Sequence, residues 1–355
     1  MKLVYVLAAI LIFGVLVAVH ELGHFLTAKL CGVRVNEFSI GMGPALWSGE
    51  RGETRYSLRV LPIGGFCAME GEDEDTGDAR SFVRQGFWKK LLILSAGALM
   101  NFIAGVVILL VLYAGAGSFF TDQITALAPE FPYQGEEGLM PGDRIYKVNG
   151  YRAYLAGDAS LFLSYAKGDV DIEVLRENGE RHTVQGLRRQ TYTAQDGTTY
   201  QGFGLYVGRY VEEATLGNKL KYTWNTALDF VQLVRFSLVQ LFTGGASVQE
   251  LSGPVGIVST ITEMGDQAET SEDAWTQIFY FAALIAINLA VMNMLPIPAL
   301  DGGRVFFLLI DTAVLALFRR KIPERYQAAV NTAGFVVLMG FMLLVTFQDV
   351  FKLFQ

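Results

Sequence analysis

Histidine and cysteine are nearly missing from this chain of 355 residues, which has three of the first and two of the second. Two cysteines cannot build a disulfide framework. Charge is scarce as well: Asp, Glu, Lys and Arg make up 18% of the residues, against about 25% in an ordinary soluble domain. That shortage, with the abundance of Phe, Leu and Val, excludes disorder, and a formal net charge of −7 argues against a nucleic-acid partner. What is present instead is apolar: 52% of residues are hydrophobic and the mean hydropathy is +0.35. Such a composition does not fit a purely soluble protein, and the length suggests two or three units.

Four stretches are free of charge, or nearly so: residues 3–28, interrupted only by Glu21, then 91–117, 274–300 and 326–348. A bilayer core about 30 Å thick needs roughly 20 helical residues, so each is long enough to span. They define membrane segments at 1–30, 89–117, 274–300 and 326–350. The first has the alternative of a secretory signal, because Lys2 precedes it and small residues follow. Against this, the run is long for a signal and leads into a polar motif that cleavage would expose or destroy.

Lys and Arg in the short connections set the orientation. Arg34, Arg51, Arg55, Arg59, Arg80, Arg84, Lys89 and Lys90 lie between spans one and two, and Arg304, Arg319, Arg320, Lys321 and Arg325 between spans three and four. Both connections, residues 31–88 and 301–325, are expected in the cytoplasm. No Lys or Arg occurs from Leu91 to Asp143 or from Phe236 to Gly303, and Glu250, Glu263, Asp266, Glu269, Glu272 and Asp273 precede span three. That side, with both termini, is expected outside, although Lys2 is a contrary vote.

Within the first connection, Val33 to Ile40 and the alternating Thr54 to Val60 predict a β-hairpin turning near Gly52. The motif LPIGGF at 61–66 suits a loop dipping toward the membrane beside protein, and the acidic run from Glu70 to Asp78 suits a solvated turn. Residues 121–208 carry turn signals every several residues and predict a small β-rich domain, whose GLMPGDRIYKVNG at 138–150 resembles the PDZ family. In 209–273, a helical pattern from Tyr210 to Thr243 places Trp224, Leu228, Val231 and Phe236 on one apolar face, as in a helix lying at a membrane surface or a packing connector. The expected fold is an α-helical polytopic membrane protein with four transmembrane helices, a cytoplasmic membrane-associated β-hairpin region and an extracytoplasmic PDZ-like β-rich domain.

Two of the three histidines form HELGH at 20–24. His20 and His24 are four apart, so a helix puts both on one face, where each nitrogen can lie about 2.0–2.1 Å from one zinc ion. Glu21 stands beside that face, placed to take a proton without ligating the metal. A chance motif, or two histidines satisfied by hydrogen bonds in a bundle, is the bland alternative; it has to meet the cost of His and Glu inside a spanning helix. Catalytic zinc wants three protein ligands and one open position. His182 falls in a predicted strand of the outer domain, which leaves a carboxylate, and Asp301 in NMLPIPALDGGR at 293–304 is the candidate. Spans one and three run in the same direction and deliver His20 and Asp301 to the same depth. Pro296, Pro298, Gly302 and Gly303 let the backbone break and turn around Asp301. Capping of the helix Val305 to Phe318 is the plainer role for this Asp.

These motifs together resemble the site-2 protease family of intramembrane zinc metalloproteases, most closely its bacterial branch of regulator-of-sigma-E proteases. The resemblance rests on H-E-x-x-H in the first span, Asn-x-x-Pro-x-Pro-x-Leu-Asp-Gly in the third, the PDZ-like insert and LPIGGF. It implies Zn2+ held by His20, His24 and Asp301, Glu21 as general base, and Asn293 as a group binding the substrate backbone or the developing oxyanion. Asn101 in SAGALMNF matches a recurrent Asn of span two and is implied as a second substrate-binding residue. Ala98 stands where the family often has Pro. The implied activity is hydrolysis of peptide bonds within or near transmembrane segments of single-span proteins, such as anti-sigma factors or signal-peptide remnants, in a bacterial cytoplasmic membrane. Three other classes share some of these features: a metal transporter, a membrane H-E-x-x-H protease using a downstream glutamate, and a silent membrane scaffold. Spans two and four offer a transporter little beyond Asn101 and Asn331.

Overall fold

In a computed structural model that describes residues 2–72, 74–193, 198–245, 252–319 and 324–352, the chain divides into two compact units, residues 109–245 and the remainder. Glu250, Arg320 and Lys321, used in the charge argument, lie outside the described residues.

The unit built from both chain ends begins with helix α1 (Lys2–Leu30), followed by strands β1 (Val35–Arg51) and β2 (Thr54–Met69) and helix α2 (Phe87–Ala114), whose last turns enter the other unit. Helices α5 (Pro254–Gln267), α6 (Ser271–Asn293), α7 (Asp301–Phe318) and α8 (Glu324–Lys352) complete it. Among the described residues, four helices are long and apolar enough to cross a membrane: Leu3–Leu30, Phe87–Ala114, Ser271–Asn293 and Ala329–Lys352. The third ends seven residues earlier than its apolar run suggests, because Pro296 and Pro298 cannot continue a helix. Glycines bring the elements close. A Cβ on Gly23 would stand 2.4 Å from the Ala96 carbonyl oxygen, and one on Gly14 would stand 2.6 Å from that of Pro62. Helix α5 was not expected; it starts with Pro254 at its first turn, where a missing N–H costs nothing, and buries Ile261 beside Tyr5 and Ile278.

The hairpin is longer and more folded than its sequence suggests. LPIGGF, expected as a loop, continues β2 as strand. Residues 37–40 pair on one side with 65–68 and on the other, with numbers rising together, with 55–58; residues 47–51 then pair with 54–58. β1 can curl in this way because Gly41 and Gly43 take φ of +86° and +85°, a region L side chains rarely adopt. The segment Thr54 to Leu58 is therefore flanked on both sides, and the outer edges belong to 47–51 and 65–69. Ile40, Met42, Leu46, Trp47, Leu58, Val60 and Leu61 remain exposed. An apolar patch of this kind, carrying a Trp, suits a membrane surface.

The second unit holds strands β3 (Ser118–Leu127), β4 (Arg144–Val148), β5 (Tyr151–Arg152), β6 (Val170–Leu175), β7 (Arg181–Leu187), β8 (Gln190–Thr193), β9 (Thr199–Gly202) and β10 (Leu205–Glu213), with helices α3 (Asp158–Tyr165) and α4 (Leu216–Phe242). Five strands run in the order β10-β3-β4-β6-β7, β5 pairs with β4, and β8 and β9 form a separate ribbon. Alternating residues of β6, Val170, Ile172 and Val174, are fully buried in a core with Ile124, Leu139, Val148 and Leu187. Tyr210, expected to open a helix, instead lies in β10, and the helix starts at Leu216 with Thr215 as its cap, accepting from Asn218 N–H at 3.2 Å. α4 docks through Phe236, which is buried among Tyr151, Phe162 and Tyr165 at ring distances of 5.0–5.5 Å. Truncating such a ring costs roughly 3–5 kcal/mol.

Candidate metal centre

The last third of α1 carries His20, Glu21 and His24, and α2 crosses it closely enough that the His24 Nδ1 hydrogen donates to the Ile93 carbonyl at 2.8 Å. That bond sets the tautomer and leaves the Nε2 lone pair free. His20 Nε2 stands 3.3 Å from His24 Nε2. Asp301 Oδ2 is 3.1 Å from the first and 3.2 Å from the second, and both histidines are about nine-tenths buried. Three ligands at zinc bond lengths in a tetrahedron stand about 3.4 Å apart, so the triangle is the right size for one ion. Three lone pairs aimed at one point in a buried site would repel without a cation between them. Among the described residues this is the one His/Cys/Asp/Glu group whose ligand atoms converge this closely.

Space for an ion is also provided. A Cβ on Gly97 of α2 would lie 2.4 Å from His24 Nε2 and 2.8 Å from His20 Nε2, so only glycine leaves that side of the triangle open. Nothing in the reading of SAGALMNF singled out Gly97, because its importance depends on how closely α1 and α2 approach.

Asp301 reaches the histidines through a tight reversal. After α6 ends at Asn293, the Ile297 N–H donates to Leu295 and that of Leu300 to Ile297, while Ala299 takes φ +73°. A left-handed alanine is strained. Its N–H is held by Asn331 Oδ1 of α8 at 3.3 Å, and Gly334 of α8 packs flush on Pro298. Gly302 and Gly303 have no room for a Cβ, which would stand 2.3 Å from the Leu295 and Ile297 carbonyl oxygens. α7 begins at Asp301 itself rather than at Val305, with Leu300 in the capping position. The Asp301 carboxylate is thus not used as a cap.

The two asparagines flank His20: Asn101 Nδ2 and Asn293 Nδ2 each stand 3.5 Å from its Nδ1. With Nε2 aimed at the centre, Nδ1 carries the proton and needs an acceptor. A half-turn of either amide supplies one, and the buried Asn101 Oδ1 lacks any other hydrogen-bond partner. Asn101 is 1% exposed. Glu21 is partly exposed, and its Cγ lies 3.3 Å from where a Gly65 Cβ would be. The 65–69 edge of the hairpin therefore passes directly beside it. His182, the remaining histidine, directs Nε2 to the Glu137 carbonyl at 3.0 Å within its own unit.

An H-E-x-x-H helix meeting a carboxylate among helices of membrane-spanning length defines a membrane metalloprotease dependent on zinc. The chain belongs to peptidase family M50, the site-2 proteases, whose family model matches residues 8–341. It is 38% identical to a Clostridium perfringens protein whose name assigns it provisionally to the zinc metalloproteases, with 98% of each chain covered. It is also 33% identical to the zinc metalloprotease RasP of Shouchella clausii, with 98% of this chain and 99% of that protein covered. With the regulator of sigma-W protease RasP of Bacillus subtilis, identity is 29% over the same shares.

Proposed function

We propose that this zinc protease cleaves single-span membrane proteins within or near their spans, with His20, His24 and Asp301 holding Zn2+ and Glu21 as general base. The observation that supports it is the buried triangle of ligand atoms beside a glutamate, on helices of spanning length. Bound zinc would acidify a water and polarise a peptide carbonyl. Glu21, next along α1 from His20, takes the proton of the attacking water on its carboxylate and returns it to the leaving amine. Asn101, too buried to meet a substrate, orients His20 through its Nδ1 proton. Asn293, at the end of α6, supplies the neutral donor for the substrate backbone or the oxyanion.

A helical substrate hides its carbonyls in its own hydrogen bonds and has to be unwound. The hairpin offers it a strand partner. The alternating segment at Thr54 to Leu58 has neighbours on both sides; the edge beside Glu21 is 65–69, and we assign substrate pairing to it. Anti-sigma factors suit the size and membrane character of such substrates, a reading supported by the name of the Bacillus subtilis relative. The positive-inside pattern supports a metal centre toward the cytoplasm of a bacterial cell membrane and the β-rich unit, read as PDZ-like, outside.

The test compares wild type and Glu21→Gln, purified with zinc in detergent, on a tagged single-span peptide read by mass spectrometry. Wild type is expected to cut within the span, while the variant retains zinc and loses at least about a hundredfold in rate, within the range for general-base catalysis. Equal cleavage by both would rule out Glu21 as the base.

A further inference from the structure

Where β2 ends, the chain reaches Glu72, whose two carboxylate oxygens serve different partners. Oε2 accepts the backbone N–H of Met69 at 3.4 Å, at the last residue of the strand. Oε1 accepts from Arg304 Nη1, in an ion pair about one-fifth to one-third exposed. Arg304 lies three residues after Asp301, so both belong to the first turn of α7. Apolar packing supports the same connection: Val305 and Leu308 of α7 lie against the buried cluster to which Cys67 and Met69 of β2 belong. The strand edge that passes Glu21 and the helix that presents Asp301 are therefore joined through a directed, charged contact.

We propose that Glu72 and Arg304 are positioning residues which hold the 65–69 edge in register with the metal centre, so that an extended substrate on that edge brings its scissile carbonyl to the zinc. The inference rests on the proposed peptidase reading of the site. Glu72 bonds to Met69 and Arg304, not to the metal triangle. A hydrophobic seat alone would let the strand end slide along α7, whereas an arginine bound to one carboxylate oxygen while the other oxygen holds the strand fixes its position. Disturbing the pair should weaken productive substrate binding and leave zinc in place.

The experiment uses the full-length protein in detergent with Glu72→Arg, Arg304→Glu and the double charge swap, and with Arg304→Lys as the conservative variant. Hydrolysis of a tagged single-span peptide gives KM and kcat, and bound zinc is counted in each protein. In parallel, spin labels at Arg51→Cys on the hairpin and Ala313→Cys on α7, with the buried Cys31 and Cys67 kept and shown unlabelled by mass spectrometry, report their distance by pulsed EPR. Each single reversal is expected to raise KM about tenfold with a smaller change in kcat, because Glu72 is also one of the charges acting on Glu21, to leave zinc unchanged, and to broaden the distance distribution. The swap should recover most of both, and Arg304→Lys should be intermediate. Unchanged distances in both single variants, or a swap no better than the worse single, would overturn the proposal. A wild type that hydrolyses no peptide counts against the peptidase reading, while the distance measurement still decides whether the pair sets the strand.

Discussion

Gly97 carries as much of the metal centre as the ligands do, and carries it by having no side chain. Its α-carbon faces both Nε2 atoms across α1 and α2, and an added methyl would take up the volume an ion needs. Gly97→Ala is therefore expected to reduce bound zinc to well below one per chain and to abolish cleavage, with the helices still inserted. Gly86→Ala, where a Cβ meets nothing within 4 Å, should keep full zinc. Metal analysis of the two purified variants decides it, and full zinc in Gly97→Ala would mean that α1 and α2 separate more easily than their packing indicates. The convergence of the three proposed ligands was legible in the sequence, because two histidines four apart in an apolar run leave a helix no way to separate them, and because Asp301 sits between a proline pair and a glycine pair that suit a reversal. Gly97 and Asn331 were not, since an open space and a held turn exist only after helices far apart in sequence have packed.

Helix α4 shows how one element joins two kinds of force. Phe236 docks it by apolar burial, and Gln232 adds a paired contact, accepting from the Arg152 N–H at 2.9 Å and donating to its carbonyl at 2.8 Å. On the same face, Asp229 is 1% exposed, with one oxygen lacking any hydrogen-bond partner. Burial, and then the neighbouring Asp158, push its carboxyl up to about 8. Asp158 is itself raised to about 6 by burial, against the N–H groups of Leu155 and Tyr154 that lower it and with Asp122 adding to the rise; Arg209 faces Asp122 from β10. A docked Asp229 holds its proton up to about pH 8, whereas an undocked one releases it near pH 4. Docking is thus strongest below pH 4, weakens as pH rises, and has lost this contribution above about pH 8. Hydrogen exchange of α4 amides, corrected for intrinsic rate, should show lower protection at pH 9 than at pH 6. Asp229→Asn should be flat across that range and better protected at pH 9; a wild type equally protected at both would show that the carboxyl is already ionised when docked. Other elements differ in how far sequence alone predicts them. Alternation announced the hairpin, but its curl depends on glycines at positive φ, so the free edge could not be read; α5 was hidden because its Gly-Pro start resembles a loop until α1 and α6 bury it.

The β-rich unit enters and leaves the chain at almost one point. Ser118 opens β3 opposite Glu213, which closes β10, and the Ala214 N–H donates to the Gly117 carbonyl at 3.2 Å. Cross-strand partners have α-carbons about 4.5–5.5 Å apart, so a few glycines can bridge the gap left by removing everything between them. Among the described residues, the candidate ligands His20, His24 and Asp301, with the two asparagines and Gly97, all come from the unit made of the chain ends. We propose that this insert, whose core α4 completes through Phe236, acts on which substrates arrive rather than on how they are cut, and exclusion of substrates with bulky outer domains is the selection its size suits. Replacing 118–213 with a short glycine linker should leave zinc at one per chain and cleavage of a bare single-span peptide within about threefold. The same span carrying a folded outer domain should be resistant to the wild type and become a substrate of the excised protein. Mass spectrometry of both substrates with both proteins reads the result, and zinc content separates a failure of folding from a failure of the idea. If the excised protein holds zinc and still rejects the bulky substrate, selection lies in the membrane-length helices, and the insert acts by binding substrate rather than by excluding it.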